Sequence, residues 1–238
     1  MYSLFLTPFI MIPFQNPTIY LGALRIDEPV SAFTDIIICL VCFYAFYKTK
    51  ALEVYKAISL YRWFFLFTGL STLVAAIIGH AFLYYFGANA KMYGWLFGIA
   101  GTSFAQFAAM YNTRGLIGQP VFKRLILINS IEVIAAFVAV FMSWNFAVVE
   151  VHTAYGLLLN VVALEFINYK KTESALSIKV IYGIGIAVLA VLCHIFQFAC
   201  SVWFNHIDLS HVFMALSMYV IYKGISLYEE VSPNFKSP

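Results

Sequence analysis

Charge is what this sequence has least of. Only 11% of its 238 residues are Asp, Glu, Lys or Arg, against 63% hydrophobic, and the mean hydropathy is +0.88. An ordinary soluble domain is about a quarter charged, so a water-soluble fold of this length would lack the groups to cover its surface. Lipid as the outer solvent removes that shortage. The net charge of +3 is too small to imply a nucleic-acid partner. Cysteine is also scarce: Cys39, Cys42, Cys193 and Cys200 all fall in apolar runs, where cysteine usually serves as a small packing residue. Cys39-Leu40-Val41-Cys42 has redox or half-zinc spacing, but no second pair and no βαβ pattern accompany it, so two packing cysteines are the better reading.

Other signatures are missing altogether. The chain has no G-x-S-x-G elbow, no Walker loop and no His-Glu-x-x-His. No lysine stands in the middle of the last apolar segment, where a retinal Schiff base would need one; Lys223 is too near the end. Met1–Phe14 is apolar but lacks a basic n-region and is broken by Pro8 and Pro13, which reads as an interfacial hairpin or plug. We find no internal repeat and no low-complexity stretch. The apolar runs do not alternate with a period of two, which disfavours a membrane barrel.

What is present is a series of apolar runs of spanning length, about 20 residues each. They cover Ser31–Tyr47, Leu60–Phe86, Met92–Tyr111, Val121–Trp144, Ala147–Ile167, Ile178–Phe204 and Ile207–Leu227. In hydrocarbon each segment must satisfy its own backbone, so helices are the natural form. Twelve basic residues fall on one side of this alternation: Lys48, Lys50, Lys56, Arg62, Arg114, Lys123, Arg124, Lys170, Lys171, Lys179, Lys223 and Lys236. Only Arg25 and Lys91 fall on the other. The positive-inside rule puts the twelve in the cytoplasm. The expectation is an all-α, polytopic membrane protein, one domain of seven transmembrane helices with residues 1–30 and the N-terminus outside. The C-terminus is then cytoplasmic, and the membrane is a plasma or bacterial inner membrane. Gly94-x-x-x-Gly98 and Gly183-x-Gly185 permit close helix contacts, and say nothing about oligomers.

Ionisable groups inside a bilayer are expensive and are functional candidates by default. On this topology Asp35 lies one turn into the first helix from outside, and His80 about two turns from the outer end of the second. His211 lies one turn into the seventh with Asp208 three residues before it. His206 sits just above, His194 is in the outer half of the sixth helix and His152 at the outer end of the fifth. No histidine is cytoplasmic. Imidazole and carboxylate converging on one layer suit a zinc ion, which at a catalytic site keeps one position for water. Asp208 and His211 share a helical face, whereas His206 and His211 do so only if the chain is non-helical at His206. The plainer reading of His194 and His152 is a hydrogen-bonded packing residue. Asn129, Asn160, Glu165, Ser103 and Gln106 form an inner polar set best explained by interhelical hydrogen bonds. Glu132, near mid-membrane, is either a protonated packing carboxyl or part of a proton path.

Seven helices with the N-terminus outside, a histidine late in the second and a histidine-bearing start to the seventh resemble the CREST superfamily of alkaline ceramidases and progestin and adiponectin receptor relatives. Glu28-Pro29-Val30-Ser31-Ala32-Phe33-Thr34-Asp35 also resembles the acidic Glu-Pro segment that helps hold calcium in alkaline ceramidases. The resemblance implies a zinc ion held by one second-helix and two seventh-helix histidines, and hydrolysis of a lipid amide. Onto this chain it carries His80 and His211. The residue four before His211 is Ile207 rather than histidine, so His206, Asp208 or His194 would have to substitute. The family's serine four before the first histidine is Ala76, and its following aspartate is missing, with Asp35 the nearest by depth. These readings give His80, His206 and His211 as expected metal ligands and Asp35 or Asp208 as the catalytic base. Glu28 either binds calcium or caps the first helix. Membrane lipids are the expected partners and a lipid the expected substrate, of a zinc-dependent amide or ester hydrolase. The alternatives are a transporter, channel or receptor-like protein, and a non-catalytic relative of the hydrolases.

Overall fold

The computed structural model describes residues 17–228; the expected N-terminal hairpin or plug at Met1–Phe14 lies outside them. Apart from one two-stranded hairpin the regular structure of the described residues is helical. β1 (Thr18–Leu21) pairs antiparallel with β2 (Leu24–Asp27) across Gly22-Ala23. Gly22 takes φ 64°, a conformation that a residue with a Cβ rarely adopts. Seven long helices follow. They are α1 (Pro29–Lys48), α2 (Lys56–Ala81), α3 (Lys91–Thr113), α4 (Gln119–Ser143), α5 (Ala147–Thr172), α6 (Ala175–Ile195) and α7 (His206–Ser226). Proline at the start of α1 and of α4 sits in the first turn, where its missing N–H costs nothing.

Five of the seven, α1, α2, α4, α5 and α6, are long and apolar enough to cross a membrane, as in a multi-pass membrane protein. α3 and α7 have the length but more polar residues, and those residues face inward. Thr102, Ser103, Gln106 and Thr113 on α3 are buried, as are His206, Asp208, Ser210 and Ser217 on α7. Their low hydropathy follows from being the helices with polar work inside the bundle.

Packing runs α1 on α2, α2 on α3, α3 on α5, α5 on α6, α6 on α7 and α7 back on α1, with α4 against α3. α6 and α7 approach most closely at glycines. A Cβ on Gly183 would collide with Ile221, and one on Gly224 would stand 2.6 Å from Lys179 Cβ. Gly185, by contrast, faces open space. The largest buried apolar side chains, among them Ile58, Phe65, Met110, Leu176 and Ile225, lie near the starts of α2 and α6 and the ends of α3 and α7. Toward the opposite end a smaller apolar cluster of Met92, Ile99, Ala136, Val140 and Val149 joins α3, α4 and α5.

Two helices depart from regular α geometry. The last turn of α2, Ala75–Ala81, is π-helical, and so is Tyr155–Val161 within α5. The sixth helix is shorter than its apolar run suggests. It stops at Ile195, and Phe196–Phe204 forms a loop that turns at Gln197, φ 54°. An aromatic run at an interface has the composition of a span without being one. His194 therefore sits exposed at the end of α6, not within the outer half of a longer helix.

Candidate metal centre

The site is built where the starts of α1 and α7 meet the end of α2. Asp35 comes from the second turn of α1, His80 from the π turn of α2 and His211 from α7. One donor atom of each lies within 4.8 Å of the others, and this is the one such trio of potential metal ligands among the described residues. Asp35 is 3% exposed and the two histidines are half-buried.

The hydrogen bonds around the trio decide where its protons are. Glu28 Oε2 lies 2.5 Å from His80 Nδ1, and a carboxylate there accepts, so His80 carries a proton on Nδ1. Thr34 donates its hydroxyl to the Ser31 carbonyl at 3.0 Å. Its oxygen is thereby an acceptor for His211 Nδ1, 2.9 Å away. Both rings then turn their Nε2 atoms toward one carboxylate, His80 at 3.5 Å from Asp35 Oδ2 and His211 at 3.6 Å from Asp35 Oδ1. Were either ring an imidazolium, its Nε2–H would close to roughly 2.7–2.9 Å. These stand off instead. Asp35 Oδ2 is buried and has no hydrogen-bond partner.

Two lone pairs and a carboxylate facing one another repel unless something positive lies among them. Donor atoms on a tetrahedral ion with bonds near 2.0–2.1 Å are about 3.3–3.4 Å apart, close to the spacing between Asp35 and each ring. A ligating histidine normally gives its other N–H to a carboxylate, carbonyl or hydroxyl that fixes its orientation, and Glu28 and Thr34 do this here. These residues could hold a metal ion.

Local structure explains how each side chain is aimed. Glu28 ends the hairpin in the left-handed region, φ 44°, with its backbone N–H on the Pro17 carbonyl. Its side chain makes no cap bond to α1 and reaches His80 instead, which corrects the capping role. Asp208 belongs to a capping box at the start of α7. Asn205 N–H donates to Asp208 Oδ2 at 2.7 Å, and Ser31 Oγ donates to Oδ1 at 2.6 Å. Both oxygens are occupied, so Asp208 ties α7 to α1 one turn above His211. His206 is the first residue of α7, and its ring lies 5.3 Å from that of His194, apart from the trio. Of the expected site residues the fold brings together His80, His211 and Asp35. His206 and Asp208 stand outside the trio. The roles of Thr34 and Ser31 were missed; their place in the second and first turns of the first helix was the available signal.

No curated protein and no solved structure matches the chain. A family model does match over residues 30–230, and the protein belongs to that family, a family of unknown function (DUF6962).

Proposed function

We propose that the protein is a zinc-dependent hydrolase of the membrane, acting on an amide or ester bond of a lipid. The single observation that carries this is the facing of two imidazole lone pairs and one unpartnered carboxylate oxygen in a buried layer. Two nitrogens and a carboxylate are a known catalytic zinc set, and three protein ligands leave a position for water. Calcium, which prefers all-oxygen sites, fits less well. Bound there, zinc would acidify a water and polarise a carbonyl.

The chain's own residues then have defined tasks. Glu28 and Thr34 keep the protons of His80 and His211 on Nδ1, so that both Nε2 atoms remain donors. Asp35 acts as the third ligand rather than as the base. Asp208, with both oxygens spent on the cap and Ser31, acts as a positioning residue. The resemblance to the CREST superfamily supports the same reading through His80 and His211, with Asp35 in place of a seventh-helix histidine. The charge pattern supports seven spans with the N-terminus outside, which puts the trio beneath the outer surface, within reach of a lipid headgroup.

The experiment is metal analysis of the purified protein followed by assay of fluorescent lipid amides and esters with zinc supplied. One zinc per chain and zinc-dependent cleavage, lost in His80→Ala, are the expected results. Zinc without cleavage of any lipid amide or ester identifies a non-catalytic relative. Iron in its place, which two histidines and a carboxylate also bind, contradicts the hydrolase.

A further inference from the structure

A second polar region lies between α3, α4 and α5 and shares no residue with the metal centre. At its outer end His152 Nδ1 is 2.7 Å from Glu132 Oε1, and His152 Nε2 is 3.2 Å from the Ile99 carbonyl oxygen. Ser103 Oγ donates to the same carbonyl at 2.7 Å and lies 3.4 Å from His152 Nε2. Serine, histidine and glutamate in this order suggest a hydrolase triad, but the protons are wrong for one. A carbonyl only accepts, so Nε2 carries a hydrogen and cannot take the serine's, which is itself committed to Ile99. What remains is one proton between Nδ1 and Oε1, on one atom or the other.

Further inward Asn160 Nδ2 donates to Gln106 Oε1 and to Asn129 Oδ1, both at 3.0 Å. Asn160 also lines an open recess of about 130 Å³, whose other walls are Tyr155 and the apolar side chains of Met110, Leu125, Ile128 and Leu159. Among the described residues four buried side-chain polar atoms lack a hydrogen-bond partner, and three are here: Glu132 Oε2, Gln106 Nε2 and Asn129 Nδ2. Such atoms are costly in an apolar interior, and water next to them removes the cost. The π-helical stretch Tyr155–Val161 follows His152 and contains Asn160, and such stretches are frequent where a helix has work to do. Beyond it lies Glu165, which accepts from Tyr61, Asn112 and Ser177. His152 to Glu165 covers about 20 Å of helix rise. The titratable groups along the way are Glu132, His152, Tyr155, Tyr61 and Glu165. Glu132 and His152 have only each other as ion-pair partners among the described residues.

We propose that this seam conducts protons across the bundle, independently of the metal centre. A proton arriving at Glu132 Oε2 makes the pair a carboxylic acid beside an imidazolium. The pair returns to its one-proton state by releasing a proton to water held by Gln106, Asn129 and Asn160, which passes it toward Glu165. The side-chain amides hold the water and do not themselves carry the proton.

The test uses the full chain in liposomes with a pH dye inside and a potassium gradient plus valinomycin to set the membrane potential. Acidification several-fold faster than in protein-free vesicles is expected. Glu132→Gln should bring it down to the protein-free rate while keeping the protein's metal content, which also shows that the variant folds. Asn160→Leu, which removes the amide that joins Gln106 and Asn129, should slow it too, and chelation of the metal should leave it unchanged. Wild-type protein no faster than empty vesicles overturns the proposal. So does a Glu132→Gln variant as fast as wild type, or a flux abolished by chelation.

Discussion

Two buried carboxylates sit at opposite ends of this bundle, and they are treated differently. Glu165, at the end with the large apolar core, is fully buried and surrounded by donors. Tyr61 hydroxyl reaches Oε1 at 2.7 Å, Ser177 hydroxyl reaches Oε2 at 2.5 Å, and the Asn112 amide lies 3.1 and 2.9 Å from the two oxygens. Asp35, at the other end, is equally inaccessible but faces two imidazole lone pairs and has an oxygen with no hydrogen-bond partner. A buried carboxylate with its donors in place is complete and rigidifies what it joins, here α2, α3, α5 and α6. One that faces other electron pairs is complete only with a metal ion or a shared proton among them. Burial alone does not separate a carboxylate whose hydrogen bonds are complete from one that needs a cation. The proton accounting around it does.

The contrast between the two carboxylates is most severely tested at Glu165. Replacing Glu165 by Leu leaves the Tyr61, Ser177 and Asn112 donors buried and unpaired, at about 1–3 kcal/mol each. Thermal unfolding in detergent should show a larger stability loss than either substitution below, with metal content unchanged. A Glu165→Leu protein of wild-type stability would mean that the Glu165 cluster is not the tie described. At the Asp35 site the same logic predicts an effect on metal binding rather than on the fold. Glu28→Leu removes the acceptor that holds the His80 proton, and metal affinity should fall roughly 10–100-fold. Competition with a chelator measures it, and an unchanged affinity would remove Glu28 from the site. The smallest effect belongs to Asp208→Ala, which removes half of a capping box and the tie to Ser31. It should lower stability by about 1 kcal/mol with a modest loss of metal affinity. A complete loss of metal would instead make Asp208 a ligand.

Much of the helical architecture was legible in the sequence because hydrocarbon imposes length and apolarity on each segment. All seven expected segments correspond to helices, most within a few residues. The exception is the sixth, where Phe196–Phe204 is as apolar as a helix interior but leaves α6 at a left-handed Gln197. The β1–β2 hairpin went unread although Gly22 marks its turn, because strand signals of four residues are short. The site was half legible. Depth along the helices pointed to His80, His211 and Asp35, since each lies within a turn or two of the same surface. Their roles were not legible. Spacing favoured Asp208 as a ligand because it shares a face with His211, yet capping chemistry at the start of α7 takes both its oxygens. Spacing also assumes a regular helix, and the π turn at Ala75–Ala81 changes where His80 points. Which atoms carry protons is set by Glu28 and Thr34, residues that are distant from His80 and His211 in sequence.

The proposed function rests on Asp35, His80 and His211 holding one metal ion. Its most direct test is metal stoichiometry and X-ray absorption on the purified full chain, beside Asp35→Ala and His211→Ala. The expected result is one zinc per wild-type chain, nitrogen and oxygen neighbours with no sulfur at about 2.0–2.1 Å, and none in either variant. Wild-type protein that takes up no metal, or variants that keep it, would contradict this assignment.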